Sequence, residues 1–208
     1  MNKVMRYQII KPIDIDWKTF GDILNKLRQE VRFTKNKTIA LYNDWLTYSL
    51  QYKEEHGNYP KLIDCHGYKI FAGYAYDTFK NDVLYSNTSN YTNSIREACS
   101  AYDAHKVDII KGNCAVPNMG TNQPIDLHNK SLSIEVNDTG DYIATLSLLS
   151  NKGKKEFGLR SGQIKVLLKV GNKSSKDILQ RCVNGEYKIC ASKIIYNNKK
   201  TFINLCYG

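Results

Sequence analysis

Apolar residues in the first half of the chain recur at the spacing of an α-helix. One stripe, with members about three or four positions apart, comprises Trp17, Phe20, Leu24, Leu27, Val31, Leu41 and Trp45. This spacing predicts one long helix, or two helices end to end, over about residues 17–54. Shorter helices are predicted near residues 74–85 and 91–111. Gly57 and Gly112 predict the ends of the first and the last of these helices.

The hydrophobic pattern changes to alternation after Pro124, which is typical of half-buried β-strands. The alternating segments predict five strands, namely Leu132–Val136, Tyr142–Leu149, Ile164–Val170, Tyr187–Tyr196 and Thr201–Tyr207. The residues from Asn197 to Lys200 predict a hairpin connection. A short helix is predicted over about residues 175–183, capped by Ser174 or Ser175.

Residues 3–10 predict one further strand, at the very start of the sequence. Because no other strand lies near it in sequence, we expect it to join the C-terminal sheet. These elements predict an α+β protein in which a small β-barrel is split by an all-helical insert. A closed or partly closed barrel of five or six strands fits the strand count. The expected boundaries are 1–16 for the first strand, 17–118 for the helical insert and 119–208 for the rest of the barrel.

The net charge of +10 is confined to the end of the sequence. From Ser150 to Gly208 there are 13 Lys and Arg against 3 Asp and Glu, whereas the first 149 residues contain 17 of each kind. Basic and apolar residues alternate there, as in Gln163–Val170, so the charge belongs to folded structure. A charge excess in one folded segment indicates a surface that binds a polyanion. A well-solvated basic face is the alternative interpretation.

None of the short motifs of serine hydrolases, zinc proteases, P-loop NTPases or dinucleotide-binding enzymes is present. The six cysteines form no C-x-x-C pair, and we expect reduced, mostly buried thiols. Two alternatives remain open for them. One is a zinc site built from Cys65, His66, Cys99 and Cys114, and the other is thiol catalysis by Cys65 with His66.

The sequence has no apolar run of the length that a transmembrane helix needs. Its first residues lack the apolar core of a secretory signal. We therefore expect a cytoplasmic protein of a prokaryotic cell that has no membrane partner.

Several strings, taken in order, resemble the N-terminal half of the miniature type V-F CRISPR effector nucleases (the Cas12f family), which are relatives of the transposon-encoded TnpB proteins. The resemblance covers essentially the whole chain, and the ordered set is specific although no single string is. The strings are Val4-Met-Arg-Tyr-Gln-Ile-Ile-Lys-Pro12, Asp14-Ile-Asp-Trp17, Gln29-Glu-Val-Arg-Phe33, His56-Gly-Asn-Tyr-Pro-Lys61, Gly73-Tyr-Ala-Tyr76, Gly140-Asp-Tyr-Ile-Ala-Thr-Leu-Ser-Leu-Leu-Ser150 and Gly185-Glu-Tyr-Lys-Ile-Cys-Ala-Ser-Lys-Ile-Ile195.

The resemblance implies a wedge (WED) domain, an oligonucleotide-binding-like barrel, interrupted by a helical recognition (REC) domain. In that family a RuvC nuclease domain follows the barrel, and this sequence ends at Gly208, where that domain would begin. The resemblance therefore implies no catalytic residue, no metal site and no cofactor in this chain, because Mg²⁺ would belong to the RuvC domain. We expect that the chain does not cut DNA on its own.

The implied role is to bind the scaffold of a guide RNA and to recognise the duplex that carries the protospacer-adjacent motif (PAM) of the target DNA. The expected phosphate contacts to RNA are Lys152, Lys154, Lys155, Arg160, Lys165, Lys169, Lys173 and Lys188. The expected PAM contacts are Tyr76, Cys190, Ser192 and Lys193. Ile70 and Phe71 are the expected apolar contacts of a homodimer formed through the REC helices. The alternative is a stand-alone RNA-binding protein, or a regulatory protein that dimerises with an effector.

Overall fold

Seven β-strands form one antiparallel sheet in the computed structural model, which describes residues 2–208. The strands are β1 Lys3–Pro12, β2 Ile125–Leu127, β3 Leu132–Val136, β4 Tyr142–Ser147, β5 Gln163–Lys169, β6 Ser192–Asn197 and β7 Lys200–Tyr207. Their order across the sheet is β2-β6-β7-β1-β5-β4-β3. The expected barrel is not confirmed, because within residues 2–208 the sheet is open, with β2 and β3 as its two edges.

Strand β1 lies at the centre of this sheet, which confirms the prediction that the first strand joins the C-terminal ones. Gln8 is paired with Phe202 of β7 on one side and with Lys169 of β5 on the other. The hairpin between β6 and β7 is also confirmed. Its two central residues, Asn198 and Lys199, have φ angles of 48° and 60°, as a tight two-residue hairpin requires.

Helices occupy most of the segment between β1 and β2. The helices in chain order are α1 Trp17–His56, α2 Leu62–His66, α3 Phe71–Phe79, α4 Thr88–Ile110, α5 Asn151–Glu156 and α6 Lys173–Val183. The long helix is confirmed as one continuous element. The helix predicted near 74–85 is displaced, since α3 begins at Phe71 and ends at Phe79. The cap of α6 is Asn172, whose side chain accepts a hydrogen bond from Ser175 N at 2.8 Å.

The chain divides into two compact units, and the division falls inside α1 and α4. The first unit contains the sheet and comprises the chain up to Val31, Leu84–Tyr91 and Asn122–Gly208. The second unit is helical and comprises Arg32–Val83 and Thr92–Thr121.

One face of the sheet carries the hydrophobic core of the first unit. The first turns of α1 and the apolar side of α6 pack on this face with the alternate residues of each strand; the buried set includes Tyr7, Ile9, Phe20, Leu27, Val166, Ile178, Leu179, Ile203 and Leu205. The Tyr7 hydroxyl donates to the Ser175 carbonyl oxygen at 2.8 Å, which ties α6 to β1. Burial holds the pKa of Tyr7 above its ordinary value. The other face of the sheet is therefore the one that is left for polar and charged side chains.

Candidate nucleic-acid interface

Polar, basic and aromatic side chains share the face of the sheet opposite to the core, which we call the outer face. It is formed by Arg6, Gln8, Lys165, Leu167, Lys169, Lys193, Ile195, Phe202 and Asn204. Lys193, Asn204 and Arg6 follow one another across β6, β7 and β1. Arg6 Nε donates to Asn204 Oδ1 at 3.0 Å, and its guanidinium lies 5.7 Å from the ring centroid of Phe202. These contacts orient a cation beside an aromatic ring, as proteins that bind nucleic acids often do.

Strand β5 presents Lys165 and Lys169 on the outer face, as the alternation of its sequence predicts. Ile164, Val166 and Leu168, which point to the opposite face of the strand, are buried. The two lysines nevertheless differ in their surroundings. Lys165 Nζ lies 2.7 Å from Glu135 Oε1, and this hydrogen bond raises the pKa of the lysine. Lys169 is exposed at the end of the strand, so it is the better placed of the two for a phosphate.

Three of the predicted RNA contacts lie on α5, a helix that the sequence pattern did not predict. Ser150 caps this helix by accepting a hydrogen bond from Gly153 N at 2.9 Å. Gly153 is buried, whereas Lys152 and Lys155 are exposed and Lys154 is half-buried. The helix therefore turns its glycine inward and two of its three lysines to the solvent. The remaining predicted RNA contacts are all exposed and lie outside α5; they are Arg160, Lys173 and Lys188.

Replacing Gly153 with alanine is expected to lower the free energy of unfolding by about 1–3 kcal/mol, which is typical of overpacking. A Cβ atom there would lie 2.7 Å from the carbonyl oxygen and 2.9 Å from the Cα atom of Tyr85, and backbone cannot move aside easily. Gly21 of α1 is the matched control, because a Cβ there meets nothing within 4 Å. Gly21→Ala should raise the stability by about 0.5–1 kcal/mol through helix propensity. Urea denaturation followed by circular dichroism measures both, and equal effects would contradict the packing argument.

The four predicted PAM contacts belong to different units. Tyr76 is half-buried on α3 of the second unit, whereas Cys190, Ser192 and Lys193 lie in the first. Ser192 is 2% exposed; its hydroxyl donates to the Cys190 carbonyl oxygen at 2.9 Å and accepts from Cys206 N at 3.0 Å. This hydroxyl holds the start of β6 in place. A contact from these residues to DNA stays a prediction.

Lys193 is paired with a carboxylate on the edge strand of the sheet. Its Nζ atom lies 3.6 Å from Oδ1 of Asp126, which faces it across the β2–β6 ladder and is fully buried. At this distance the contact is an ion pair and not a hydrogen bond. Like Lys165, Lys193 is therefore partly neutralised by a carboxylate of a neighbouring strand.

The predicted dimer contacts are exposed to different degrees. Ile70 precedes α3 and is 64% exposed. Phe71 is half-buried, and its ring stacks on Tyr42 with the centroids 4.2 Å apart. Ile70 is thus accessible to a partner, whereas Phe71 already contributes to the packing of the second unit.

Comparison with known proteins identifies the family. No protein-family model matches the chain. The chain is 40% identical over 209 residues to the CRISPR-associated endodeoxyribonuclease Cas12f1 of Sulfoacidibacillus thermotolerans, and the alignment covers 100% of this chain and 49% of that protein. The chain belongs to the Cas12f family. It matches the N-terminal half of a Cas12f effector and spans about half the length of the relative.

The thiols of this Cas12f chain are less buried than its sequence suggests. All six cysteines are free, and Cys65 is exposed while the other five are half-buried, so the expectation of mostly buried thiols is wrong. Within residues 2–208, no three His, Cys, Asp or Glu side chains come together as a metal site requires. The described residues thus do not fit the zinc site considered for Cys65, His66, Cys99 and Cys114.

Some of the well-placed aromatic and basic residues of this Cas12f chain were missed from its sequence. Arg28 lies over the ring of Tyr196 at 5.3 Å, and Arg6 over that of Phe202. Strand alternation around Phe202 could have placed it on the outer face. Nothing in the sequence brings Arg28 of α1 near Tyr196 of β6. Among residues 2–208, none of the helices has an apolar stretch suited to crossing a bilayer.

Proposed function

We propose that this chain is the part of a type V-F CRISPR effector that holds the guide RNA and recognises the PAM duplex. The first unit would act as the WED domain and the second as the REC domain. The observation that carries the proposal is the charge distribution. The excess of 13 basic over 3 acidic residues falls in the segment that supplies α5, α6 and three strands of the sheet unit, in a chain of the Cas12f family.

The predicted basic residues are well suited to a phosphate backbone. Exposed lysines on α5, β5, α6 and the segment before β6 present point charges, and the outer face adds an oriented arginine and an aromatic ring. RNA-guided effectors hold their RNA through shape and backbone charge, while base pairing reads the target sequence. The target DNA enters the proposal through Tyr76, Cys190, Ser192 and Lys193, of which Lys193 is the one that carries a positive charge.

Two further parts of the proposal concern the assembled effector. The exposed Ile70 supports a homodimer formed through the helical unit. Cleavage of target DNA by this family would use a metal-binding cluster of acidic residues, and residues 2–208 form no such cluster. We therefore propose that the chain alone binds DNA without cutting it. Incubation of the chain with guide RNA, Mg²⁺ and PAM-containing duplex should leave the DNA intact.

The decisive experiment is a salt titration of binding to the cognate guide scaffold and to an unrelated structured RNA. The test variant replaces four exposed lysines with alanine, Lys152, Lys155, Lys169 and Lys188. The control removes the same charge from the part of the sequence with no net charge, through Lys37, Lys61, Lys69 and Lys111.

We expect tighter binding to the scaffold than to the unrelated RNA. The test variant should show a salt slope that is shallower by up to about 3.6, because each of the four lost phosphate contacts removes roughly 0.7–0.9. The control variant should keep a slope close to that of the unmodified chain. Equal, weak binding of the two RNAs by all three proteins would contradict the proposal and leave a nonspecific basic face.

A further inference from the structure

The first unit contains a cleft that none of the predicted sites uses. It lies between the first turns of α1 and the β6–β7 hairpin and has a volume of about 400 Å³. We name it the Trp17–Tyr196 cleft, after two of the aromatic residues that line it. Each of these side chains is 47% exposed, so much of the ring surface is open to solvent. A volume of this size is within the range of small-molecule sites and suits one nucleotide.

The cleft combines aromatic surface with positive charge. Arg28, Lys199 and Lys200 line it, and its lining residues, all within the described chain, include no Asp or Glu. The Arg28 side chain donates a hydrogen bond to Asn25, and its guanidinium lies 5.3 Å from the centroid of the Tyr196 ring. Flat rings beside fixed cations match the two parts of a nucleotide, its base and its phosphate.

Two locally unfavourable residues line the same cleft, and neither has a packing reason. Gly21 lies inside α1, where glycine is less stable than alanine, yet a Cβ atom there would meet nothing within 4 Å. Lys199 has a φ of 60°, a conformation that lysine adopts at a cost and glycine does not. A glycine keeps the floor of the cleft open, and a lysine at the hairpin turn supplies a cation. The hairpin explains the φ of Lys199 but not the choice of lysine there, and packing does not explain Gly21, so both residue choices point to function.

We propose that the Trp17–Tyr196 cleft binds one unpaired nucleotide of RNA, with its base against Trp17 or Tyr196 and its phosphate near Arg28, Lys199 and Lys200. This inference rests on the proposed function, because it assumes that the chain binds RNA. RNA is the chosen occupant because folded RNAs carry unstacked bases in loops and bulges, whereas the bases of a PAM duplex are paired.

The test uses the tryptophan fluorescence of the whole chain. The sequence has two tryptophans, so a Trp45→Phe background leaves Trp17 as the reporter. A short unstructured single-stranded RNA should quench its emission saturably, and a blunt RNA duplex of the same length should not. Gly21→Leu, which fills the cleft, and Tyr196→Ala should each weaken binding of the single strand about tenfold, as loss of a base stack does. Gly171→Leu is the control, since Gly171 also has open space around its Cα but lies outside the cleft.

The outcomes separate this inference from the proposed function. Normal quenching in Gly21→Leu and Tyr196→Ala would overturn the cleft proposal, and the lysine variants described above would still report on scaffold binding. Equal quenching by the RNA duplex would refute an unpaired base, and equal quenching by single-stranded DNA would refute RNA as the occupant. Absence of binding to any RNA, the guide scaffold included, would overturn both proposals. Weaker binding of single-stranded RNA in Gly21→Leu and Tyr196→Ala, with normal binding in Gly171→Leu, would support the cleft as the site of an unpaired nucleotide.

Discussion

Replacing Glu30 with alanine is expected to lower the free energy of unfolding by about 3 kcal/mol, because it leaves several backbone N–H groups without an acceptor. Glu30 lies on α1 and is 9% exposed. Its Oε1 atom accepts hydrogen bonds from Leu84 N at 2.5 Å and Tyr85 N at 3.0 Å, and its Oε2 atom accepts from Ser86 N at 2.6 Å. A single carboxylate thus satisfies three consecutive amides, and alanine satisfies none.

The effect should extend to the basic helix α5. Ser150, the cap of that helix, donates its N–H to the Tyr85 carbonyl oxygen at 2.7 Å and its hydroxyl to the Leu84 carbonyl oxygen at 2.5 Å. Glu30 therefore orders the segment to which α5 is attached. Loss of the carboxylate should loosen the placement of Lys152 and Lys155, and hydrogen exchange should become faster at residues 84–86 before it does elsewhere in the sheet unit.

Urea denaturation measures the stability change, with Glu54→Ala as the control on an exposed part of the same helix. That control should remain within about 0.5 kcal/mol of the unmodified chain. Glu30→Gln keeps one acceptor oxygen but turns its side-chain NH₂ group toward the backbone N–H groups. Its loss of stability should therefore lie between those of Glu54→Ala and Glu30→Ala. A change below 0.5 kcal/mol in Glu30→Ala would mean that water satisfies these amides.

The elements that the sequence predicts well are those with a strong local signal. The stripe of α1 and the alternation of β5 each specify one buried face, so helix and strand follow from periodicity. Elements without such a signal were missed. Strand β2 has only three residues and exists through its pairing with β6. Helix α5 has almost no apolar face and is fixed by Gly153 and Ser150 against Tyr85.

The predicted strand over residues 187–196 shows how a side chain can override a pattern. Alternation continues through this segment, but β6 begins only at Ser192, and Ile189 makes an isolated bridge to Tyr207. The Ser192 hydroxyl bonds to the Cys190 carbonyl oxygen and the Cys206 amide, which interrupts the regular ladder. Such local competition by serine is not visible in hydrophobic periodicity.

The positive charge of the candidate interface was predictable from the sequence, but the ion pairs of its lysines were not. Local composition identifies the basic segment, and alternation places Lys165 and Lys169 on one face. The carboxylates that pair with these lysines, and so make them less available to a phosphate, come from distant parts of the chain. Glu135 reaches Lys165, and Asp126 reaches Lys193, only because of the strand order. Contacts of this kind depend on register, which a single sequence specifies only through its buried face.

In the helical unit, Tyr102→Ala is expected to lower the free energy of unfolding by about 4 kcal/mol, in the range found when large buried rings are truncated. Tyr102 is fully buried on α4, and its hydroxyl donates to Asn43 Oδ1 at 2.9 Å. Its ring stacks on Tyr42 at 4.7 Å, and Tyr42 in turn stacks on Phe71. The substitution removes the central ring contact that joins α4 to α1 and leaves the Asn43 oxygen without this donor.

A conservative variant separates the ring from the hydroxyl. Tyr102→Phe should lose only about 1 kcal/mol, the net value of one hydrogen bond. The hydroxyl is shielded from water, since Tyr102 is fully buried, and this burial raises the pKa of Tyr102 above its ordinary value. Hydrogen exchange in Tyr102→Ala should become faster first in the helical unit, and this includes the start of α3, where Phe71 rests on Tyr42. If Tyr102→Phe were as destabilised as Tyr102→Ala, the hydroxyl and not the ring would hold these helices together.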